Sequence, residues 1–204
     1  MKCNDITVIH NFVNETEKTD YTLGDCAFYF GRLSREKGIL NLVEAINNIP
    51  GARLIIAGDG PERENIQAYI KEHKLENRIT LLGYLNQNDI RENIRKCRFV
   101  TVPSIWYENC PYSILETMEI GKPIIGSKIG GIPELIQDGI NGFTYEHNDV
   151  TKLTNILMKL FGNDETVKQF SKNSKQIFIQ NYSAEAYYNK LMTVYNKYIN
   201  TDKE

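Results

Sequence analysis

The sequence has no apolar run long enough to cross a bilayer, no two cysteines at C-x-x-C spacing and no marked excess of charge of either sign. Each shortage removes a class of protein. A membrane-spanning helix needs about 20 consecutive apolar residues. The opening MKCNDITVIHNFVNE has neither the apolar centre nor the small-residue cleavage site of a signal peptide, so a cytoplasmic protein is expected. Cys3, Cys26, Cys97 and Cys110 do not cluster with the three histidines, which speaks against a zinc site and against a disulfide framework. With 24 Lys and Arg against 26 Asp and Glu, the net charge of -2 makes no field that would gather nucleic acid, and no nucleic-acid partner is expected. Internal repeats and low-complexity tracts are also missing.

Two nucleotide-binding signatures fail as well. IAGDGPERE places Gly58 and Gly60 after an apolar run, but the third glycine position of a G-x-G-x-x-G fingerprint is Arg63. No G-x-x-x-x-G-K-[ST] occurs, which argues against a P-loop nucleotidase.

What the chain does have is alternation. The short apolar runs CAFYFG, RLIIAG, RITLLG, RFVTVPS, KPIIGS and NGFTYE are separated by stretches of helical period. Ile39, Leu42, Val43 and Ile46 fall at i, i+3, i+4 and i+7, and Leu153, Ile156, Leu157 and Leu160 repeat the pattern, each set predicting one buried stripe. Nearly all-apolar strands joined by helices imply a parallel sheet covered on both faces. The expected fold is α/β, a doubly wound Rossmann-like parallel sheet of about six strands. At 204 residues the chain has length for one sizeable core.

The two ends read differently. Residues 1–24 hold a strand-like fragment, ITVIHNFV, and a polar run that reads as a linker. After Gly162 two helical segments follow. The last starts near Ser183 and carries Tyr188, Leu191, Met192, Tyr195 and Ile199 on one stripe, which calls for a partner surface.

Ligands of open α/β sheets bind at the carboxyl ends of the strands, and that is where the notable residues gather. GRLSREKG offers Gly31 for close backbone approach and Arg32 and Lys37 as two cations suited to an anion such as a diphosphate; alternatively it is a solvated basic loop leading into a helix. In WYENCPYSILETMEIGKPIIG, Pro111 suits the first turn of a helix with Asn109 or Cys110 near its cap, leaving Glu108 in the preceding loop and Glu116 one to two turns in. The free N–H groups of such a helix start suit a phosphate or a sugar oxygen. Two ionised carboxylates, which only accept hydrogen bonds, suit sugar hydroxyls. Ile114, Leu115 and Met118 surround Glu116 with apolar neighbours.

Taken in order, GRLSREKG, IAGDGP, ITLLGYL, PSIWYENCPYSILETMEIGKPIIGS, GGIPELI and DGINGF resemble the carboxyl-terminal, donor-binding domain of the retaining glycosyltransferases of family four, which have the GT-B fold. The resemblance covers about residues 26–200 and includes the family's pair of acids with seven residues between them, Glu108 and Glu116. It implies that Arg32 and Lys37 contact the diphosphate of a nucleotide-sugar donor and that Glu116 holds the ribose. Glu108 and the backbone of Asn109, Cys110, Pro111, Tyr112 and Ser113 would hold the transferred sugar and phosphates, and Gly31 would let the backbone pass close. Gly83, Tyr84 and Leu85 match the segment that flanks the base. Glu108, Arg32 and Lys37 are the candidate catalytic groups.

The resemblance further implies a hexose from a UDP- or GDP-activated donor, no metal cofactor since no D-x-D occurs, and a role in bacterial surface polysaccharide synthesis. Residues 1–24 would be a junction strand and linker from a missing amino-terminal domain, and residues 25–204 the donor domain with a carboxyl-terminal helix crossing back, its tyrosine stripe including Tyr198. The acceptor, a glycan or lipid-linked glycan, would be met through that missing domain or a partner chain, as would any peripheral membrane association. His10 reads as structural. Where many members have glycine after the first glutamate this chain has Asn109, a residue that tolerates a left-handed backbone. Two other readings remain: a non-catalytic nucleotide-sugar-binding subunit of a split transferase, or a truncated, inactive remnant.

Overall fold

The computed structural model describes residues 6–15, 19 and 21–199, except for the side chain of Tyr198. Each of the six apolar runs forms a strand: β1 (Cys26–Phe30), β2 (Arg53–Ala57), β3 (Ile79–Gly83), β4 (Phe99–Val102), β5 (Ile124–Ser127) and β6 (Gly142–Tyr145). They make one sheet in the order β3-β2-β1-β4-β5-β6, and every pairing is parallel. The helices are α1 (Ile39–Asn47), α2 (Arg63–Glu72), α3 (Gln87–Lys96), α4 (Tyr112–Ile120), α5 (Ile132–Leu135), α6 (Val150–Phe161), α7 (Asp164–Asn181) and α8 (Ala184–Ile199), with a short 3-10 turn at Arg35–Lys37.

β1 shows why the sheet must be covered on both sides. All five of its residues are buried, and alternate ones serve different cores. Ala27 and Tyr29 join Leu42, Ile46, Ile66 and Leu157, from α1, α2 and α6, on one face. Cys26, Phe28 and Phe30 meet Ile94 of α3 and Ile120 of α4 on the other, where α4, α5 and α7 add Ile114, Leu115, Ile132 and Phe178. Both predicted helical stripes are buried throughout. A large aliphatic side chain contributes about 1.5–3 kcal/mol when fully buried, so this two-sided core fixes the sheet on which the rim loops are mounted.

A few buried charges tie elements together. Arg98, at the foot of β4, donates from Nε to the Leu160 carbonyl at 2.7 Å and meets Asp164 at 2.5 Å. Glu119 of α4, 1% exposed, lies 3.2 Å from Arg91 of α3 and 3.6 Å from Lys175 of α7.

The fragment ITVIHNFV departs from its reading as a strand. Among residues 6–13 only Val13 forms a bridge, to Ser183, and Ile6 and Val8 are exposed. The segment lies against the α7–α8 turn rather than a sheet edge. Phe12 packs against Tyr187 with ring centres 4.7 Å apart and planes tilted by 35°, and His10 meets the Tyr182 ring edge-on while its Nε2 sits 2.9 Å from Glu134. These contacts take the place of ladder hydrogen bonds. Cys26 and Cys97 are buried free thiols and Cys110 is half-buried, while Cys3 lies outside the described residues. On α8, Tyr188, Tyr195 and Ile199 are exposed, and the Tyr198 side chain is likewise outside what is described. Among the described residues no helix is long and apolar enough to cross a membrane.

Candidate functional site

The strand order reverses between β1 and β4, since the chain leaves β1 toward β2 and β4 toward β5. Loops diverge at such a switch point and leave a crevice beyond the carboxyl ends of the strands. Here it is a cleft of about 460 Å³. Gly31, Arg32 and Lys37 line it from the β1 side; Ser104 and Glu108 from the β4 loop; Cys110, Pro111, Tyr112, Ser113 and Glu116 from the start of α4.

Local chemistry explains why these groups converge. The β1 loop is strapped to its neighbours: Gly31 N–H donates to the Ala57 carbonyl at 3.0 Å, Leu33 N–H to Asp59 at 2.8 Å, and the Tyr29 hydroxyl to the Arg32 carbonyl at 2.9 Å. A Cβ on Gly58 would stand 1.8 Å from the Gly31 carbonyl oxygen, so two loops can touch there only because that residue is glycine. Gly38, left-handed at φ 65°, ends the 3-10 turn, and Ile105 N–H donates to the Glu36 carbonyl at 2.8 Å. The β1 and β4 loops are thereby tied together, which brings Lys37 to Glu108.

Glu108 is far from a freely solvated loop acid. Its side chain is 20% exposed and forms an ion pair with Lys37 through Oε1. The same oxygen accepts from the Ser104 hydroxyl at 2.9 Å, and Ser127 donates to the Ser104 carbonyl at 2.5 Å. Behind it, Gly131 N–H donates to the Glu108 carbonyl at 2.7 Å, and a Cβ on Gly131 would come within 2.0 Å of the Asn109 carbonyl oxygen. Burial, aided by the charges of Glu108 and Glu36, pushes the Tyr29 hydroxyl well above the usual phenol range, so it stays a neutral hydrogen-bond donor.

Glu116 has a different setting. It is half-buried, and desolvation raises its carboxyl above the ordinary glutamate range. Arg91 and a hydrogen bond from Gln87 oppose that rise, while Glu119 adds to it. The carboxylate is thus short of water and only partly compensated, a state in which added hydrogen-bond donors are favourable.

The helix start differs by one residue from expectation. Pro111 is the N-cap of α4, with φ -67° and an extended ψ of 119°, and the helix begins at Tyr112. Proline's ring sets φ, but its ψ stays extended, so it precedes the first turn instead of opening it. Having no side-chain acceptor, it leaves the first N–H groups uncapped beside the cleft. The left-handed tolerance attributed to Asn109 is not used, because the non-glycine residues with positive φ among those described are Lys74 and Asn148.

Two further recesses adjoin the cleft. One of about 340 Å³ shares Phe30, Gly31 and Arg32 with it and is closed by Tyr84, Leu85 and Ile90. Gly83 does not line it; its carbonyl accepts from Gly58 N–H at 2.7 Å, and its φ of 73° turns the chain into Tyr84. The other, of about 520 Å³, contains Asn109, His10, Tyr107 and Glu134, with Glu108 as the wall common to it and the cleft. The structure therefore brings Gly31, Arg32, Lys37, Glu108, Cys110, Pro111, Tyr112, Ser113 and Glu116 to one cleft, Tyr84 and Leu85 to its neighbour, and turns Asn109 away. Sequence reasoning left out Ser127, Gln87, Arg91 and Gly131 as site residues. Only GS and GG, at and just beyond the end of β5, hinted at Ser127 and Gly131; Gln87 and Arg91 of α3 carry no local signal, since they meet Glu116 from a distant part of the sequence.

A doubly wound domain with cations and carboxylates gathered at its switch point is the architecture of the GT-B glycosyltransferases. The family described as "Glycosyl transferases group 1" matches residues 16–177, and the chain belongs to that family. An uncharacterized glycosyltransferase of Methanocaldococcus jannaschii is 31% identical over 176 residues, 85% of this chain and 48% of that one. The UDP-Gal:alpha-D-GlcNAc-diphosphoundecaprenol alpha-1,3-galactosyltransferase of Escherichia coli is 30% identical over 172 residues, 81% of this chain and 43% of that one. Among solved structures, Anabaena Alr3699/HepE in complex with UDP superposes with a TM-score of 0.79 at 26% identity, over 87% of this chain and 50% of that one. The chain spans about half the length of the curated relatives it matches.

Proposed function

We propose that this chain is the donor-binding half of a retaining glycosyltransferase and holds a nucleotide-diphosphate hexose in the cleft between the β1 and β4 loops. The observation that carries this is the meeting of two cations, two carboxylates and an uncapped helix start at the switch point of the sheet. Glu116 accepts the ribose hydroxyls, the base enters the recess closed by Tyr84 and Leu85, and Arg32, Lys37 and the first N–H groups of α4 take the diphosphate. Glu108 and the backbone from Cys110 through Ser113 hold the sugar; the role the family resemblance gave Asn109 is dropped, since that residue lines the neighbouring recess. As the bond from the sugar to the diphosphate breaks, negative charge grows on the leaving oxygen; Arg32, Lys37 and the positive end of α4 are placed to stabilise it. These groups belong to the protein, and the reading calls for no metal.

A UDP or GDP donor fits best. The Escherichia coli relative is named for UDP-Gal and the Anabaena structure contains UDP. The α-linkages in the names of relatives are what retention would give from an α-linked nucleotide sugar, and one relative is named for an O-antigen chain. We infer a cytoplasmic role in bacterial surface polysaccharide synthesis. Residues 1–24 would join the donor domain to an acceptor domain, toward which α8 would cross back. The isolated chain should accordingly bind donor without transferring sugar. The exposed Tyr188, Tyr195 and Ile199 also suit a partner chain that supplies the acceptor half, the split-transferase reading. A thermal-shift panel of UDP, GDP, ADP and their sugars tests the proposal, because a ligand that binds the folded state alone raises its melting temperature. A rise for one nucleotide family is expected; no rise for any of them would contradict it.

A further inference from the structure

Lys37 is one of the two cations that line the cleft, and its ammonium pairs with Glu108 Oε1. That oxygen also accepts from Ser104, itself anchored by the hydrogen bond that its carbonyl accepts from Ser127. The pair is partly sheltered, with side-chain exposures of 30% and 20%, so parting it has a cost that water does not fully offset. A bare nucleoside diphosphate entering the cleft must draw Lys37 away and leave the Glu108 carboxylate short of a donor. A nucleotide sugar draws Lys37 away in the same manner, but its hydroxyls then replace the lost donor on Glu108.

We propose that the Lys37–Glu108 pair is a selectivity device: it penalises the bare nucleoside diphosphate and lets the sugar-bearing nucleotide recover the penalty. The pair thereby sets the ratio of affinities for the sugar-bearing donor and for the product left after transfer. This inference deepens the donor-site reading above and rests on it. It assigns opposite effects to one substitution on two closely related ligands and makes the gain for the bare diphosphate depend on Lys37, a dependence that independent contacts by Lys37 and Glu108 would not produce.

The test is titration calorimetry of the chain with UDP, UDP-glucose, GDP and GDP-mannose, using the nucleotide family that binds. Glu108→Gln should bind the bare diphosphate about fivefold tighter, the size expected for releasing a partly sheltered ion pair, and lose affinity for the sugar nucleotide. Ser104→Ala, which leaves Glu108 more dependent on Lys37, should weaken the bare diphosphate instead. In a Lys37→Met background, Glu108→Gln should change bare-diphosphate affinity by less than about twofold. An undiminished gain there would mean that the carboxylate merely repels the anion, and it would overturn the device. So would equal weakening of both ligands by Glu108→Gln in a chain whose circular dichroism matches the unsubstituted one. No binding of any nucleotide by the unsubstituted chain would instead overturn the donor-site reading, and this inference with it.

Discussion

Glu108 and Glu116 line the same cleft, and the fold treats them in opposite ways. Glu108 sits in a loop with an ammonium and a hydroxyl on one carboxylate oxygen, its backbone gripped by the α5 loop. Glu116 sits on a helix, where burial raises its carboxyl and only Gln87 and the charge of Arg91 offset the loss of water. One acid is held by a full charge and a hydroxyl, the other by an amide with a guanidinium nearby. Residue type alone therefore does not set what an acid can do; the neighbours decide whether it waits for a ligand or must be released to meet one.

The comparison can be broken most severely from behind Glu108. Gly131→Ala forces a methyl group to within 2.0 Å of the Asn109 carbonyl oxygen. It should cost about 1–3 kcal/mol in denaturant unfolding and selectively impair recognition of the sugar. An unchanged midpoint would mean that the clamp is slack. At the other acid, Glu116→Ala removes the acceptor proposed for two ribose hydroxyls, and nucleotide affinity should fall roughly 30-fold, the scale of about 2 kcal/mol for hydrogen bonds to a charged group. Arg32→Ala, at the exposed mouth, should weaken diphosphates about tenfold and leave the bare nucleoside unchanged; equal loss for both would contradict its assignment.

Acidity sharpens the contrast further. Ribose recognition needs the Glu116 carboxylate, whose raised pKa means that protonation sets in at higher pH than for an ordinary glutamate. Nucleotide affinity should begin to fall early as pH is lowered, and Glu116→Gln should remove that slope. For stability the sign reverses. A carboxyl whose folded pKa is raised favours the fold while protonated, and that contribution is lost as pH rises through the folded pKa. At neutral pH the ionised Glu116 is therefore a small burden, and Glu116→Gln should raise Tm by about 1 °C while binding is lost. A lower Tm would show that Gln87 and Arg91 more than compensate for burial.

The sequence made the sheet plain because each strand is short, apolar and bounded by glycine or a polar turn, and because both stripes of α1 and α6 follow the helical period. It made the two acids plain because their spacing around Pro111 is local. It did not show that Lys37 would reach Glu108, 71 residues away, or that Gln87 and Arg91 of α3 would face Glu116. Those meetings depend on which loops stand side by side once the strand order reverses, and periodicity carries no such information. ITVIHNFV misled for a related reason. Its β-branched and aromatic residues suit a strand, but Phe12 and His10 found aromatic partners near the α7–α8 turn instead of a sheet edge.

The most direct test is to titrate the chain and its Glu116→Gln variant with the nucleoside diphosphate that raises the melting temperature and with the 2′-deoxy form of the same nucleotide. A donor cleft whose ribose acid is Glu116 predicts that the unsubstituted chain prefers the ribose form about tenfold and that the variant loses the preference along with most of its affinity. Equal affinity for the two nucleotides, or a preference that survives Glu116→Gln, would contradict it.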